Sequence, residues 1–176
     1  KLIKDQNGNK IILTRNAKIK ILLNDEEKFS LNIPFGSRVL FENGDKVKAN
    51  QLLADWDPYT LPIIAEKDGY IKYIDLKQGI SFRDSIDDTT GIGSKIVIDW
   101  SQNPKSKNFK PAINIVKTFN SEVDEEDLEN LFSYPMSIDT VLSLEDGSEV
   151  KAGQVVARIP KESSKTKDIT GGLPRV

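Results

Sequence analysis

Gly44-Asp45-Lys46-Val47-Lys48-Ala49-Asn50-Gln51-Leu52-Leu53-Ala54 occurs twice in this chain, the second time as Gly147-Ser148-Glu149-Val150-Lys151-Ala152-Gly153-Gln154-Val155-Val156-Ala157. Six of the eleven positions are identical, and Leu52-Leu53 against Val155-Val156 keeps the apolar character. Self-similarity at a fixed distance marks one supersecondary unit made twice. Each copy reads as strand, glycine-led turn and strand, because an apolar run ends at the Gly, Val and Ala then alternate with Lys, and an apolar strand follows. Gly44, Val47, Ala49 and Gln51, with Gly147, Val150, Ala152 and Gln154, are therefore the structural positions of two β hairpins. Two small β modules in tandem is the first expectation.

At 176 residues the chain holds one ordinary domain or two small ones, and the repeat decides for two. Charged residues make up 30% and hydrophobic residues 38%, the balance of a globular chain with a wet surface. The net charge of −2 gives no long-range attraction for nucleic acid or anionic lipid. Only Arg15, Arg38, Arg83, Arg158 and Arg175 offer the guanidinium fork suited to phosphate, so dense phosphate binding is not expected. The absence of Cys and His removes disulfides, thiol nucleophiles, Cys/His zinc sites, histidine general bases and haem ligation together. No apolar run approaches the ~20 residues of a membrane span, and no signal-peptide pattern opens the chain, so no membrane partner is expected. The chain opens without Met and stops at Arg175-Val176, which is the expectation for a piece of a longer polypeptide.

In chain order, Asn7-Gly8-Asn9 is a turn signal flanked by Lys10-Ile11-Ile12-Leu13-Thr14, and Ala17–Leu22 alternates. Asn24–Glu27 is the next turn, after which Phe29, Leu31 and Ile33 share one strand face. Ser37–Phe41 leads into the first repeat. Beyond it come Leu61–Ala65, a turn at Lys67-Asp68-Gly69, the strand Tyr70–Ile74, and strands over 80–83 and 95–100 around a polar loop Asp84–Gly93. Ser101–Lys110 has linker composition and marks the module boundary. Pro111–Val116 is a strand. Glu122–Phe132 reads as one short helix, since Val123, Leu128, Leu131 and Phe132 fall near one face and Asp124–Asp127 suit a helix N-terminus. Tyr134-Pro135 ends it, Ser137–Leu144 leads into the second repeat, and Lys161–Lys167 is a polar linker. The expected class is all-β with one short helix.

The constellations that could carry chemistry have plainer readings. Asp124–Asp127 are contiguous acids that point in different directions on a helix, whereas a hard cation needs oxygen ligands that converge. Gly91-Ile92-Gly93-Ser94-Lys95 lacks the Gly-Lys-Ser/Thr order of a phosphate loop. Trp56 and Tyr59 beside a turn suit half-buried strand-end packing better than a ligand shelf. Asp55, Asp57 and Asp68 could pair as acid and base only if the fold brought them together.

The repeat also resembles the half-motif of biotinyl and lipoyl carrier domains, in which a hairpin bearing the modified lysine and then an Ala-x-x-Asp-Gly strand come next. This chain has the last part, Ile64-Ala65-Glu66-Lys67-Asp68-Gly69-Tyr70-Ile71. Where the lysine tip should lie it has Asp55-Trp56-Asp57-Pro58-Tyr59-Thr60, with no amine to acylate. The second copy has Lys161 nearby but no Asp-Gly strand after it. The barrel-sandwich shape is expected, and the carrier chemistry is not.

Ala157-Arg158-Ile159-Pro160-Lys161-Glu162, followed by Thr166-Lys167-Asp168-Ile169-Thr170-Gly171-Gly172-Leu173-Pro174-Arg175-Val176, is similar to the β′ subunit of bacterial DNA-directed RNA polymerase. In that family the run from Asp168 to Arg175 lies in the second half of the trigger loop and just beyond it. The stretches Asn32–Gly36, Ala54–Pro58 and Lys110–Ile113 resemble the insertion of two sandwich-barrel hybrid modules that splits the loop in many β′ subunits. The resemblance thus implies a first module over 1–102, a second over 103–163, and a trigger-loop segment over 164–176 that is expected to be disordered in isolation. It implies DNA-templated RNA synthesis by the whole enzyme in the cytoplasm, with β, α, ω and σ as partner subunits. DNA template and RNA would be met only through the assembled enzyme. Mg²⁺ and Zn²⁺ belong to the whole subunit, and the Asn-Ala-Asp-Phe-Asp-Gly-Asp cluster that holds Mg²⁺ is absent from this sequence. The Met, Arg and His of the family's first trigger-loop helix have no counterpart here. No catalytic residue, cofactor or metal is expected in the fragment itself, and its implied role is to modulate trigger-loop movement, pausing and transcript cleavage. The alternative is a stand-alone carrier-like or protein-interaction module.

Overall fold

A computed structural model describes residues 1–86, 90–119 and 129–161. They form two compact units, Lys1–Pro58 and the part that begins at Tyr59. Among the described residues every regular element of more than three residues is a strand, so the all-β expectation holds.

The first unit has two sheets. β1 (Leu2–Lys4), β2 (Lys10–Ile12), β5 (Arg38–Val39) and β6 (Ala54–Asp55) lie side by side in that order. The β1–β2 turn is held by Asp5, whose carboxylate accepts the N–H groups of Asn7 (2.9 Å) and Asn9 (2.8 Å), while Gly8 takes φ +80°. β3 (Ala17–Leu23) and β4 (Glu26–Ile33) form a separate hairpin. Its two turn residues, Asn24 and Asp25, both have positive φ, the geometry that matches the natural twist of paired strands. Ile12, Ile19 and Ile33 make a small core, with Val39, Phe41 and Leu53 packed on it.

The second unit stacks more strands. One sheet runs β7 (Thr60–Ile64), β15 (Val155–Pro160), β13 (Val141–Leu142), β10 (Gly93–Val97), β9 (Phe82–Ile86). The other runs β12 (Asn130–Pro135), β11 (Ala112–Val116), β8 (Gly69–Ile74), β14 (Glu149–Val150). A 3₁₀ turn at Trp100–Gln102 is capped by Asp99, whose carboxylate accepts the Ser101 N–H at 3.0 Å. Ile71, Val97, Ile113, Ile115, Val150 and Val156 are fully buried between the sheets.

Two sequence expectations change. The structure divides the residues at Pro58/Tyr59 and not at 102/103, because β10 pairs with β13 and β8 pairs with both β11 and β14 across the proposed boundary. The helix expected over Glu122–Phe132 is a strand from Asn130 onward, and its remaining residues up to Leu128 lie outside the described residues. A β-bulge explains the misreading. Phe132 stands opposite Ile115 and Asn130 opposite Val116, so Leu131 is an extra residue. One inserted residue turns the period of two into a spacing of three and imitates a helical face.

The repeat extends far beyond the eleven quoted residues. The β2–β5–β6 pairings, Lys10 to Val39 and Val39 to Ala54, recur as Lys95 to Leu142 and Leu142 to Ala157 in β10–β13–β15. The β3–β4 hairpin recurs as β11–β12, with Ile19 and Ile21 matched by Ile113 and Ile115 and Phe29 by Phe132. Both hairpins carry the bulge at the same step, Ile21/Leu22 and Ile115/Val116. β1 paired to β2 is matched by β9 paired to β10, which sets Leu2 against Phe82. The second unit is thus the first unit's strand set with β7, β8 and β14 added.

Candidate functional site

The two repeat loops are the same object down to single hydrogen bonds. Leu40 N–H donates to Leu53 O and Ser143 N–H to Val156 O, both at 3.0 Å. Asp45 N–H donates to Glu42 O, and Ser148 N–H to Glu145 O, both at 3.1 Å. Gln51 folds back so that its side-chain oxygen accepts the Lys48 N–H at 3.0 Å, and Gln154 does the same for Lys151 at 3.2 Å. This explains why Gln persists in both copies. Gly44 (φ +93°) and Gly147 (φ +83°) make the first bend, and Asn50 (φ +63°) and Gly153 (φ +89°) make the second. Left-handed backbone favours Gly and tolerates Asn, which accounts for the Asn/Gly exchange at that position.

The likeness continues upstream. Ser37 and Thr140, 103 residues apart like the repeat, are both fully buried. Ser37 Oγ donates to Pro34 O at 2.7 Å, and Thr140 Oγ1 lies 3.0 Å from Ser137 Oγ. Gly36 and Asp139 both have positive φ, and their N–H groups donate to Ile12 O and Val97 O, each at 2.8 Å.

What differs is the company each loop keeps. In the second unit the Ala65–Ile71 segment lies along the loop. Ala65 N–H donates to Gln154 O (2.9 Å), Gly153 N–H to Ala65 O (2.8 Å), Ile71 N–H to Ser148 O (2.8 Å) and Gly147 N–H to Ile71 O (2.7 Å). The Asp68 carboxylate accepts the Ala152 N–H at 2.7 Å. The Asp-Gly strand that in carrier domains follows the first half-motif is therefore clasped here by the second copy. Val150 is fully buried as a result, whereas its counterpart Val47 is half-exposed.

Tyr73 and Tyr134 close this arrangement and were not singled out by motif. The Tyr73 hydroxyl donates to Leu144 O at 2.5 Å, and burial, with the Asp146 and Glu145 charges adding to it, pushes the phenol far above its ordinary range. The Tyr134 hydroxyl accepts the Glu66 N–H (3.1 Å) and donates to Ile64 O (3.2 Å). Each fastens two chain segments about 70 residues apart, a distance at which a single sequence gives no pairing signal.

Of the remaining candidates, Asp55 and Lys95 are paired within their own units. Asp55 holds Arg38 through paired hydrogen bonds, one of 3.0 Å from Arg38 Nε. Lys95, at the end of the Gly91–Lys95 stretch, sits in strand β10 and pairs with Asp84 at 3.2 Å. Trp56 and Tyr59 are exposed. Asp124–Asp127 and the segment Asp168, Ile169, Thr170, Gly171, Gly172, Leu173, Pro174 and Arg175 lie outside the described residues. Among the described residues no three His, Cys, Asp or Glu side chains gather as a metal site. No helix there is long and apolar enough to cross a membrane.

Two predictions arise here. The Arg38 hydrogen bond holds the Asp55 carboxyl below its ordinary value. A depressed folded value means that the pair's contribution is complete above the unfolded carboxyl range, about pH 4, and is lost as the pH falls through the folded value. Carboxyl NMR titration should place Asp55 low in the wild type and at an ordinary aspartate value in Arg38→Ala. The effect on stability should be small, since the pair is solvent-exposed. Second, a Cβ at Gly44 meets nothing within 4 Å, whereas one at Gly147 meets the Phe119 ring at 3.2 Å. Gly44→Ala should cost only the left-handed backbone penalty, about 1–2 kcal/mol. Gly147→Ala should cost visibly more by urea denaturation, because the ring must also shift.

The fold and the loops together define a doubled all-β scaffold whose repeated element is a hydrogen-bonded turn. No family model matches the chain. Over 99% of its length it is 42% identical to a stretch of the DNA-directed RNA polymerase subunit beta' of Ehrlichia ruminantium (strain Gardel), and it spans 12% of that relative's length. The chain corresponds to a fragment of a β′ subunit, the family that its C-terminal run resembles.

Proposed function

We propose that the chain is a non-catalytic insertion in the β′ subunit of a bacterial RNA polymerase, made of two sandwich-barrel hybrid modules carried on the trigger loop. The observation that carries the reading is the end-to-end similarity to a β′ subunit, joined to the Asp168–Val176 run that resembles the second half of that loop. On this reading the whole enzyme is the nucleotidyltransferase and works in the cytoplasm. Its Mg²⁺ and Zn²⁺ are held by β′ residues outside this sequence. The partners are the β, α, ω and σ subunits, with DNA and RNA met only in the assembled enzyme.

The mechanism is conformational. Folding a lid over a nucleotide completes an active site, and such steps often set the rate. Two β units borne on the lid's hinge move with it. Any contact they make in only one state shifts the open–closed balance. About 1.4 kcal/mol of such contact changes that balance tenfold. Deleting the equivalent of residues 1–163 from intact polymerase should alter pausing, elongation and transcript cleavage. Unchanged values of all three would refute the reading.

A carrier function has less support. The position where a modified lysine should stand is filled by Asp55–Thr60, and Lys161, just after β15, is followed by no Asp-Gly stretch in the sequence. Mass spectrometry after expression in a biotinylating host should show no added biotin or lipoate.

A further inference from the structure

The duplicated strand set exposes a place in the first unit that is filled in the second. In the second unit β8 adds to the edge of β11, antiparallel, with Ile71 opposite Ile115 and Tyr73 opposite Ile113. β3 is the counterpart of β11, and among the described residues it pairs with β4 alone. Its other edge is open, over a strand of seven residues.

The side chains tell the same story. In the second unit Tyr73 belongs to the core that also holds Phe82, Val97, Ile113, Leu142 and Leu144, with Ile113 directly opposite it and its hydroxyl on Leu144 O. Its ring meets Phe82 edge-on at 5.9 Å, and its N–H donates to Asp146 Oδ1 at 2.7 Å. The counterparts of those five residues are Leu2, Ile12, Ile19, Val39 and Phe41. They line a mainly apolar groove of about 520 Å³ beside β3. Leu2 is 58% exposed where Phe82 is 6% exposed, so the difference is the missing cover. The repeat loop agrees, because Gly147 and Gly153 donate their N–H groups to the 65–71 segment, while among the described residues those of Gly44 and Asn50 form no backbone bond.

We propose that the first unit is a strand acceptor. An extended segment adds antiparallel to the open edge of β3 and lays alternate apolar side chains, an aromatic or large aliphatic one over Ile19, into the groove. The main chain supplies the hydrogen bonds and the groove supplies the selectivity. The occupant's chemistry is that of β8, Gly69-Tyr70-Ile71-Lys72-Tyr73-Ile74. Its source is indicated by chain order. β8 precedes β9 by the short connection Asp75–Ser81, and β9 is the counterpart of β1. The occupant is accordingly the β′ polypeptide immediately upstream of residue 1. That source rests on the family reading, whereas the open edge does not.

Two arms on the isotope-labelled 176-residue chain test this. In the first, a synthetic peptide with the sequence of residues 67–75 is titrated in. Expected are NMR shifts confined to β3, Leu2, Ile12, Val39 and Phe41 in the first unit, and hydrogen exchange slowed about tenfold or more at alternate β3 amides. The same peptide with Ile71→Asp and Tyr73→Asp should do neither. In the second arm the chain is extended by the ~20 upstream residues of its β′ polypeptide, roughly the length from β7 to the start of β9. The extension should protect the same β3 amides and abolish peptide binding. Shifts elsewhere, equal effects from the Asp peptide, or no effect at millimolar peptide would overturn the strand acceptor. Peptide binding that persists beside an extension leaving β3 unprotected would overturn the source. Neither arm depends on transcription, so failure here is distinguishable from failure of the polymerase reading.

Discussion

Gly69→Ala is expected to destabilise the second unit by about 3 kcal/mol, the upper range for forcing a methyl into packed space. Gly69 opens β8 with ordinary backbone geometry, so the reason for glycine is space and not φ. A Cβ there would stand 2.6 Å from Val116 O and 2.7 Å from Ile115 Cγ2. Neither neighbour can yield cheaply. The Val116 carbonyl belongs to the backbone of the central strand β11, which is held by β8 on one side and β12 on the other. Ile115 is fully buried in the core. The strand would have to lift from β11 exactly where it also meets β14, at Val150 opposite Gly69. For a unit of this size such a loss lowers the melting temperature by roughly 10–20 °C. Gly93→Ala is the control, because that glycine lies in β10 with nothing within 4 Å of its Cβ and no positive φ. It should be neutral or slightly stabilising. Thermal melts of both variants, with the first unit followed separately by its own NMR amides, check the claim.

The sequence made the turns legible and the strands much less so. Gly44, Gly147, Gln51 and Gln154 are held by single-residue demands, a left-handed φ or a side-chain bond to the turn, and such demands leave identical letters. Strand positions ask only for an apolar side chain on the correct face. Ile19 with Ile113 and Phe29 with Phe132 are correspondences that become visible only once the pairings are known. For that reason the doubling was read from eleven residues when it runs through most of each unit. The bulge at Leu131 broke the alternation that would have betrayed β12. Tyr73 and Tyr134 were missed because their partners, Leu144 and Ile64, are remote in sequence. The division between units was misplaced for a related reason. Ser101–Lys110 has the composition of a linker, but it is a surface connection within one unit, with Ser106 buried and its hydroxyl donating to Trp100 O at 2.7 Å.

A fragment comprising residues 103–176 is expected not to fold, and one comprising residues 59–176 is expected to fold cooperatively. The contrast follows from where the pairings run. In the shorter fragment β11 loses β8 and keeps only β12, β13 loses β10, and β15 loses β7. Ile113, Ile115, Val150 and Val156, all fully buried in the intact unit, would then lose Ile71, Tyr73, Phe82 and Val97 from the core they share and become exposed in part. Exposing even two such side chains forfeits about 3–6 kcal/mol. That is comparable with the whole stability of a small domain, about 5–15 kcal/mol. Residues 59–176 keep every one of these partners, and so retain both sheets and the Tyr134 clasp on Ile64. Circular dichroism and dispersed amide spectra should separate the two fragments without ambiguity. A folded 103–176 fragment would restore the boundary at 102/103 and would mean that β7–β10 are a cover on this unit and not half of its core.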